Sequence, residues 1–397
     1  MVTLSQPQSR IVELDALCGL AVIGIVWMSV YAIALPQQAY YNPAAWGMDS
    51  QIDRMVWTAS FVFAQGKSGT LFAILFGAGC LILLEQEGPR PWRAHYARMA
   101  VLFLIGLAHA VLFSGNDILR VFAACGLFLP LLAQLNHRAL YAMAIGFVVV
   151  HVGGGIVMFG SAIMDFYAGR TFSDATFFAE RNFGNNEPAI RASLEQGREG
   201  FTHGVARRAF ELPQQLKIII ASMPINLAGI ALGMAMWKDR MLAGEWRLFR
   251  LQRLAAVCAL IALPSLLGLA FWTASNGFPG SHAGAAGLVL SAPFDTLMAL
   301  AYAALAMALF TLDGPITRTL AKVGRLPLTN YLMGPLILTS LFASWGLGLF
   351  GELNRSTVFA LGIAPVAAML VWSPFWLEKF GQGPFERLWY KGAAMLS

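Results

Sequence analysis

The chain has 397 residues, of which 58% are hydrophobic and only 12% charged, and its mean hydropathy is +0.63. Soluble domains carry about a quarter charged residues, so this composition excludes a soluble globular enzyme. The net charge of +6 does not predict a nucleic-acid partner, because the basic residues lie in short loops between apolar segments, where they set membrane orientation. The expected fold class is all-α, a polytopic membrane helix bundle.

Apolar segments of about 20 residues predict the membrane spans, because a helix of that length crosses a hydrocarbon core of about 30 Å. A short aromatic segment at residues 52–65 predicts an interfacial or re-entrant helix. The one long polar segment, residues 164–211, predicts one or two amphipathic helices on the outer face, as a lid or a dimer contact. About ten transmembrane helices are expected, at residues 14–35, 66–84, 99–113, 118–132, 139–163, 216–237, 254–273, 286–312, 328–350 and 358–377.

A single integral-membrane domain is expected over residues 1–397, with N-terminal helices at 12–163, a long periplasmic loop at 164–211 and C-terminal helices at 212–397. Basic short loops stay on the cytoplasmic side of a membrane. Lys and Arg gather in the loops near positions 90, 138, 245 and 320 and at the C-terminus, whereas the loops near 40, 115, 277 and 352 are nearly neutral. The pattern predicts a multi-pass protein with both termini in the cytoplasm.

The helical hairpin at residues 98–135 carries the clearest functional signal. His109 lies near the end of its first arm, and Asp117 and Arg120 open the second arm. Ionisable side chains this close to hydrocarbon cost several kcal/mol unless they are paired or hydrated. Only one turn separates His109 from Asp117, which allows the two side chains to meet.

Other polar residues within the apolar segments have competing interpretations. Lys67 either anchors the second span at the membrane boundary or points into a polar pocket, and Asp15 either caps the first helix or belongs to an inner-face site. For His151 we favour a hydrogen bond to another helix over catalysis. Asp295 lies well inside a span, so its carboxylate must be protonated, paired or hydrated, and it is a second functional candidate. His282 is predicted to be a solvated loop residue.

The cysteines give no sign of a metal centre or of disulfides. Cys18, Cys80, Cys125 and Cys258 lie singly in apolar segments, and no Cys or His residues have the spacing of metal ligands. We therefore expect small core side chains at these positions and no metal site.

Several stretches, spread over nearly the whole chain, carry a family resemblance: LDALCGLAVIGI, GKSGTLFAILFGAG, IGLAHAVLF followed by NDIL, VGRLPLTNYL, GLGLFG and GPFERLWY. Read in order, they resemble the YeiB family (domain of unknown function 418) of bacterial inner-membrane proteins. Cys18 stands where that family usually has an arginine. Asn116 extends a usually tighter glycine–aspartate turn, and Phe122 takes a place usually held by tyrosine.

The resemblance implies a distant similarity to transmembrane acyltransferases, including the lysosomal heparan glucosaminide acetyltransferase. Those enzymes move an acyl group from cytoplasmic acyl-CoA to an acceptor across the membrane, using a histidine within the bundle. That relative keeps its histidine in the segment before LFGAG, where this chain has none. The similarity therefore concerns the fold and not the catalytic residue.

Acyl transfer to a small or envelope-associated acceptor is the first functional hypothesis. His109 would be the base, because an imidazole titrates near neutral pH, and Asp117 would orient it and stabilise the imidazolium. Asn116 or Lys67 would stabilise the developing oxyanion, and Arg325 would contact the phosphates of acyl-CoA, the implied donor. The further predicted binding residues are Arg120, Asp15, Asp295, Asn330 and Tyr331.

A transporter, or a protein that binds a small molecule or lipid, is the second hypothesis. His151, Asp295 and His109 would then form a proton relay, and Pro224 and Pro293 would break two spans around a site near the midplane. A third interpretation gives these polar residues a role in helix packing alone. Whether the protein is an enzyme thus stays open. Its expected partners are membrane lipids and a small or envelope-associated acceptor, and no nucleic-acid partner is expected. A homodimer is possible.

Overall fold

The computed structural model describes residues 11–86, 91–115, 117–170, 173–310 and 314–396. Within these ranges it contains helices and no β-strand, which confirms the predicted all-α bundle. Two 3-10 turns follow α1, at Gln37–Tyr40 and Pro43–Ala45, and a π-helix, Ala286–Leu290, precedes α14. The α-helices are α1 (Val12–Ala34), α2 (Gln51–Phe63), α3 (Lys67–Gln86), α4 (Pro91–Leu112), α5 (Ile118–Gly126), α6 (Leu129–Leu132), α7 (His137–Tyr167), α8 (Asp174–Phe183), α9 (Glu187–Gly197), α10 (Phe201–Phe210), α11 (Leu212–Lys238), α12 (Leu248–Ser275), α13 (Gly280–Ala285), α14 (Ala292–Leu309), α15 (Pro315–Gly324), α16 (Pro327–Phe342), α17 (Arg355–Leu361), α18 (Ile363–Phe380) and α19 (Pro384–Leu396).

Eight helical segments of the described residues are long and apolar enough to cross a membrane, against about ten expected from the sequence. The predicted interfacial helix, α2, joins α3 in one such segment. The predicted fourth and ninth spans are not among the eight. These eight segments are Val12–Ala34, Gln51–Gln86, Pro91–Leu112, His137–Tyr167, Leu212–Lys238, Leu248–Ser275, Ala292–Leu309 and Arg355–Phe380.

The fourth and ninth apolar segments form shorter helices than predicted. The fourth divides into α5 and α6, because Pro130 has no amide N–H to bond the carbonyl of Gly126. The ring of His95 bonds that carbonyl instead, with Nε2 2.8 Å from the oxygen. The ninth is α16, whose 16 residues extend about 24 Å, less than a hydrocarbon core of about 30 Å.

Glycines bring α3 and α11 close together in the centre of the bundle. A side chain at Gly77 would strike the backbone of Ile230, and one at Gly233 would strike the backbone of Ile74. Gly79, by contrast, has open space where a Cβ would be. Because lipid supplies no hydrophobic force between helices, close contact between small residues is what holds such helices together.

Three short helices, α8 to α10, form a unit that we call the cap (Asp174–Phe210). The sequence predicted one or two helices here, and α7 also extends further than expected, to Tyr167. The cap lies at the end of the bundle where α4 ends. Arg208 donates hydrogen bonds from Nε to the carbonyl of Val111 (2.8 Å) and from Nη2 to that of Leu112 (2.9 Å).

The prediction of a solvated loop residue at His282 is wrong. His282 is fully buried in α13, where its ring centroid lies 4.1 Å from that of Trp272 and its Nε2 lies 3.3 Å from the hydroxyl of Tyr167. Burial lowers the pKa of His282 to about 4, because a buried ring resists protonation. The sequence suggested a loop, but α7 and α8 pack over this segment and exclude water.

Candidate functional site

The turn between α4 and α5 positions the first candidate site. Asp117 is the N-cap of α5, and its Oδ1 accepts a hydrogen bond from the backbone N–H of Arg120 (3.1 Å), the usual role of an N-cap aspartate. Gly106 lets the start of α5 approach α4 closely, because a Cβ at this position would lie 2.6 Å from Oδ1 of Asp117. The turn therefore holds the Asp117 carboxylate against the last turns of α4, which carry His109.

His109 and Asp117 form a buried hydrogen-bonded pair. Nδ1 of His109 lies 2.7 Å from Oδ2 of Asp117, and the two residues are 4% and 3% exposed. The hydroxyl of Tyr331 accepts from the backbone N–H of Ile118 (3.1 Å) and donates to the same Oδ2 (3.4 Å). Because the carboxylate is an acceptor, Nδ1 donates the hydrogen in this pair, and in the neutral form of the imidazole Nε2 then carries the lone pair. Nε2 is buried without a hydrogen-bond partner among the described residues, so it is the atom able to accept a proton.

Arg120 balances the charge of Asp117 from the opposite side. Its Nη1 donates to Oε1 of Gln215 (2.7 Å), and its Nη2 donates to the carbonyl of Gly115 (2.7 Å). Nε lies 3.9 Å from Oδ1 of Asp117, the oxygen that His109 does not use. A positive neighbour offsets the cost of burying a carboxylate. Arg120 supplies one beside Oδ1, while Oδ2 contacts the imidazole of His109 and the hydroxyl of Tyr331.

A cavity of about 210 Å³ lies between this turn and the cap. Phe113 and Gly115 line it from the turn, and Phe201 and Arg207 line it from the cap. The ring of Phe113 also packs beside His109, with 6.0 Å between the ring centroids. The imidazole therefore lies one side chain behind the wall of the cavity.

Lys67 and Asp295 form a second buried pair. Nζ of Lys67 lies 2.5 Å from Oδ1 of Asp295 and donates to the carbonyl of Phe61, while the hydroxyl of Ser291 donates to Oδ2 (2.8 Å). Lys67 is fully buried, so it points into a polar pocket and is not an anchor at the membrane boundary. Gly66 permits the contact because its φ is +79° and a side chain there would strike Asp295.

Asn330 faces away from both pairs, although it is the neighbour of Tyr331 in sequence. Its Nδ2 donates to the carbonyl of Val323 (3.0 Å) and to Oγ of Ser373 (3.0 Å), and its Oδ1 accepts from the indole of Trp372 (2.9 Å). These bonds join α15, α16 and α18. The structure thus gives Asn330 a helix-joining position and does not bring it to His109.

The predicted inner-face residues also lie apart from the His109 site. Asp15 lies where α1 crosses α15, since a side chain at Gly324 would strike the Asp15 carbonyl. Arg325 is the C-cap of α15 and is half-buried. Asn116, the other candidate for oxyanion stabilisation, lies outside the described residues.

The sequence analysis missed several buried polar residues, of which Gln215 and Arg355 are two examples. Gln215 lies in the first turn of α11 and accepts a hydrogen bond from Arg120. In the sequence, an amide side chain beside the start of an apolar segment is only a weak indication of a buried polar contact. Arg355 is fully buried, with its guanidinium 4.2 Å from the ring centroid of Tyr31 and its Nη1 2.7 Å from the carbonyl of Ala39. Among the described residues, no group of three or more His, Cys, Asp or Glu side chains could hold a metal ion.

His151 makes the helix-to-helix hydrogen bond expected of it. Its Nε2 lies 2.8 Å from the carbonyl of Leu288, which belongs to the π-helix before α14. The wider spacing of a π-helix disturbs the regular hydrogen-bond pattern, and the histidine on α7 satisfies a carbonyl there.

Comparisons with known proteins place the chain among relatives of undescribed activity. A family model described as "Protein of unknown function (DUF418)" matches residues 236–395. The chain is 31% identical over 389 residues to the uncharacterized protein YeiB of Escherichia coli K12, covering 96% of this chain and 95% of that protein. It is 26% identical over 402 residues to the uncharacterized protein YxaH of Bacillus subtilis 168, covering 98% and 95%. No solved structure matches the chain.

Proposed function

This chain belongs to the DUF418 family that includes YeiB, and from that premise we propose that it is an acyltransferase-like membrane enzyme in which His109 is the general base. One observation carries the proposal: a buried imidazole is bonded through Nδ1 to a carboxylate, and its Nε2 is left without a partner among the described residues. An imidazole fixed in this tautomer by a carboxylate is the arrangement that proton abstraction from a hydroxyl or amine requires.

In the proposed reaction, an acyl group moves from the thioester sulfur of acyl-CoA to a small or envelope-associated acceptor. Nε2 of His109 takes the acceptor proton while the acceptor oxygen or nitrogen attacks the thioester carbonyl. The new bond to carbon forms, the carbon–sulfur bond breaks, and the proton passes to the leaving thiolate. Asp117 stabilises the imidazolium that exists between these steps, and Arg120 keeps the carboxylate's charge balanced.

Access to Nε2 requires a movement of Phe113, because this residue lines the cavity and also packs beside His109. We place the acceptor in that cavity, on the periplasmic side of a bacterial inner membrane, with both chain termini in the cytoplasm. Acyl-CoA would then approach from the basic inner side, where Arg325 is our candidate for its phosphates. Membrane lipids surround the bundle in this arrangement.

The test is thioester cleavage by purified protein in lipid nanodiscs, with acetyl-CoA as donor and a panel of small alcohols and amines as acceptors. His109→Ala should lower turnover by about 10²- to 10⁴-fold, the range for loss of a general base. His151→Ala is the matched control, because it removes an imidazole that bonds a backbone carbonyl elsewhere in the bundle. Turnover in His109→Ala equal to that of His151→Ala would exclude His109 from the mechanism.

Proton-coupled transport, or binding of a small molecule, is a second candidate function favoured by the Lys67–Asp295 pair. Ionisable residues inside membrane segments commonly mark ion or substrate pathways, and this pair is almost completely buried. Proteoliposomes under a pH gradient, read with an internal pH-sensitive dye, would test it. Proton flux that Asp295→Asn abolishes and the exposed control Lys322→Met preserves would favour transport, and no flux above empty liposomes would exclude it.

A further inference from the structure

The charged side chains that line the cavity beneath the cap are two arginines and two glutamates, so their formal charges sum to zero. Nε of Arg207 lies 2.9 Å from Oε2 of Glu199, and Nη1 of Arg207 lies 3.2 Å from both carboxylate oxygens of Glu211. Burial by itself would lower the pKa of Arg207, but the hydrogen bonds to these glutamates outweigh burial and raise it. Arg208, the fourth charged residue of the lining, donates hydrogen bonds to the last two carbonyls of α4. Each guanidinium of the lining therefore already has a partner within the protein.

Apart from Ser114, Gln196 and Thr339, the rest of the wall consists of aromatic and aliphatic side chains and of glycines. Phe201 and Trp345 contact each other edge to face in this wall, with ring centroids 6.1 Å apart, and Phe113 and Phe350 also line the cavity. Ring faces and edges of this kind pack against the apolar body of a ligand. Polar contacts remain available, because each glutamate oxygen that accepts one hydrogen bond has a further lone pair.

We propose that this cavity binds the acceptor, and that the acceptor is an uncharged, hydroxyl-bearing molecule with an apolar body. A carboxylate or an ammonium group would need a counter-charge here, and every arginine and glutamate of the lining is already hydrogen-bonded within the protein. Bringing an unpaired charge into such a site costs binding free energy. The internal pairing of the lining therefore selects against charged ligands. A hydroxyl can donate to a glutamate oxygen without breaking any existing pair.

That this ligand is the acyl acceptor rests on the proposed function. If the acceptor carries a hydroxyl, the reaction is O-acylation and its product is an ester. The hydroxyl proton passes to Nε2 of His109, the ester C–O bond forms, and the thioester C–S bond of acyl-CoA breaks. The proton then leaves with the thiolate. An aliphatic amine is an ammonium ion at neutral pH, so the same cavity disfavours amide formation.

The experiment measures binding directly, without acyl transfer. Ser114→Cys places a thiol in the cavity wall, and its rate of maleimide labelling is followed at that position by peptide mass spectrometry. The probes are 4-nitrobenzyl alcohol, 4-nitrobenzylamine and 4-nitrobenzoate, which share an aromatic body and differ in charge. At a probe concentration about ten times its Kd, occupancy should slow labelling about tenfold. We expect the alcohol to protect position 114 and the two ions to leave its labelling rate unchanged.

Charge variants then test the reason for the selectivity. In the Ser114→Cys background, Glu211→Gln leaves Arg207 partly unpaired, so 4-nitrobenzoate should gain protection. Arg207→Gln leaves two glutamates unpaired, so 4-nitrobenzylamine should gain protection instead. Arg198→Gln is the matched control, because it removes a cap arginine whose partner, Glu352, is exposed outside the cavity wall. This control should keep the selectivity for the alcohol.

Retained protection by the alcohol shows that each charge variant keeps an intact cavity, and Glu199→Gln is the substitute if Glu211→Gln does not fold. The proposal is overturned if the alcohol fails to protect, if either ion protects the parent protein equally well, or if the charge variants leave the selectivity unaltered. Protection by the alcohol in a protein without thioester turnover would contradict the acyltransferase proposal alone, so the two failures are distinguishable.

Discussion

Removing the ammonium group of Lys67 should destabilise the protein strongly. Its Nζ lies 2.5 Å from Oδ1 of Asp295, and side-chain exposure is 1% for Lys67 and 7% for Asp295. Lys67→Met keeps an unbranched side chain but deletes the charge, so that the carboxylate of Asp295 keeps the hydrogen bond from the hydroxyl of Ser291 but loses its counter-charge. Removing one partner of a buried ion pair costs about 3–5 kcal/mol, because the other charge stays buried without compensation. We expect a loss of unfolding free energy in that range.

An exposed pair in the same chain provides the matched control. Lys322 lies 2.9 Å from Glu378, but the two side chains are 38% and 71% exposed. Exposed pairs contribute about 0–1 kcal/mol because water screens them, so Lys322→Met should change stability by less than about 1 kcal/mol. The double variant Lys67→Met/Asp295→Leu removes both buried charges and should cost less than the sum of its two single changes.

The assay is denaturant unfolding in detergent micelles, followed by the tryptophan fluorescence of the chain. The free energies of the single, double and control variants are compared under identical conditions. A cost for Lys67→Met no larger than that for Lys322→Met would refute the argument, since it would mean that the Lys67 charge is not held in a desolvated pair. Strict additivity in the double variant would refute the coupling in the same way.

Two further predictions concern packing and pH. Gly233→Ala should lower the unfolding free energy by about 1–3 kcal/mol, because the new Cβ would strike the backbone of Ile74. Gly79→Ala is the control: its Cβ would face open space, so this change should be neutral or slightly stabilising. Equal melting temperatures for the two variants would contradict the prediction. The pKa of His282 falls from 6.5 to about 4 in the folded protein, so the unfolded chain binds the proton first. The contribution of His282 to the unfolding free energy is therefore fully present above pH 6.5. It is lost as the pH falls towards 4, and the loss is at most about 3 kcal/mol. His282→Gln should flatten that part of the curve of unfolding free energy against pH, and parallel curves would count against a buried neutral ring.

The His109–Asp117 contact was predictable because local chain geometry produces it. A histidine near the end of one helix and an N-cap aspartate on the next are joined by one short turn, so few backbone arrangements can separate them. The hydrogen bond of His151 to another helix followed from a similar local argument, since a polar ring within an apolar helix needs a partner. The catalytic role proposed for His109 remains a prediction.

The Lys67–Asp295 pair and the Gln215–Arg120 contact required coordinates. Each joins residues far apart in the chain, and helical periodicity does not record which face of one helix meets which face of another. Lys67 stood at the end of an apolar segment, where a boundary anchor and a buried partner produce the same sequence pattern. In the structure, Gly66 has a positive φ and lies directly against Asp295, so this turn brings the start of α3 to the carboxylate.

By itself, the sequence determined the class of fold and most of its long helices, because a bilayer requires apolar segments of a certain length whose backbone bonds are satisfied internally. The tertiary structure decided which polar groups are buried and what they meet. It paired Lys67 with Asp295, enclosed His282, and placed Arg207 between Glu199 and Glu211 in the wall of a cavity. These outcomes depend on distances between helices that are remote in the chain, and burial is a property of the whole packed bundle rather than of any one segment.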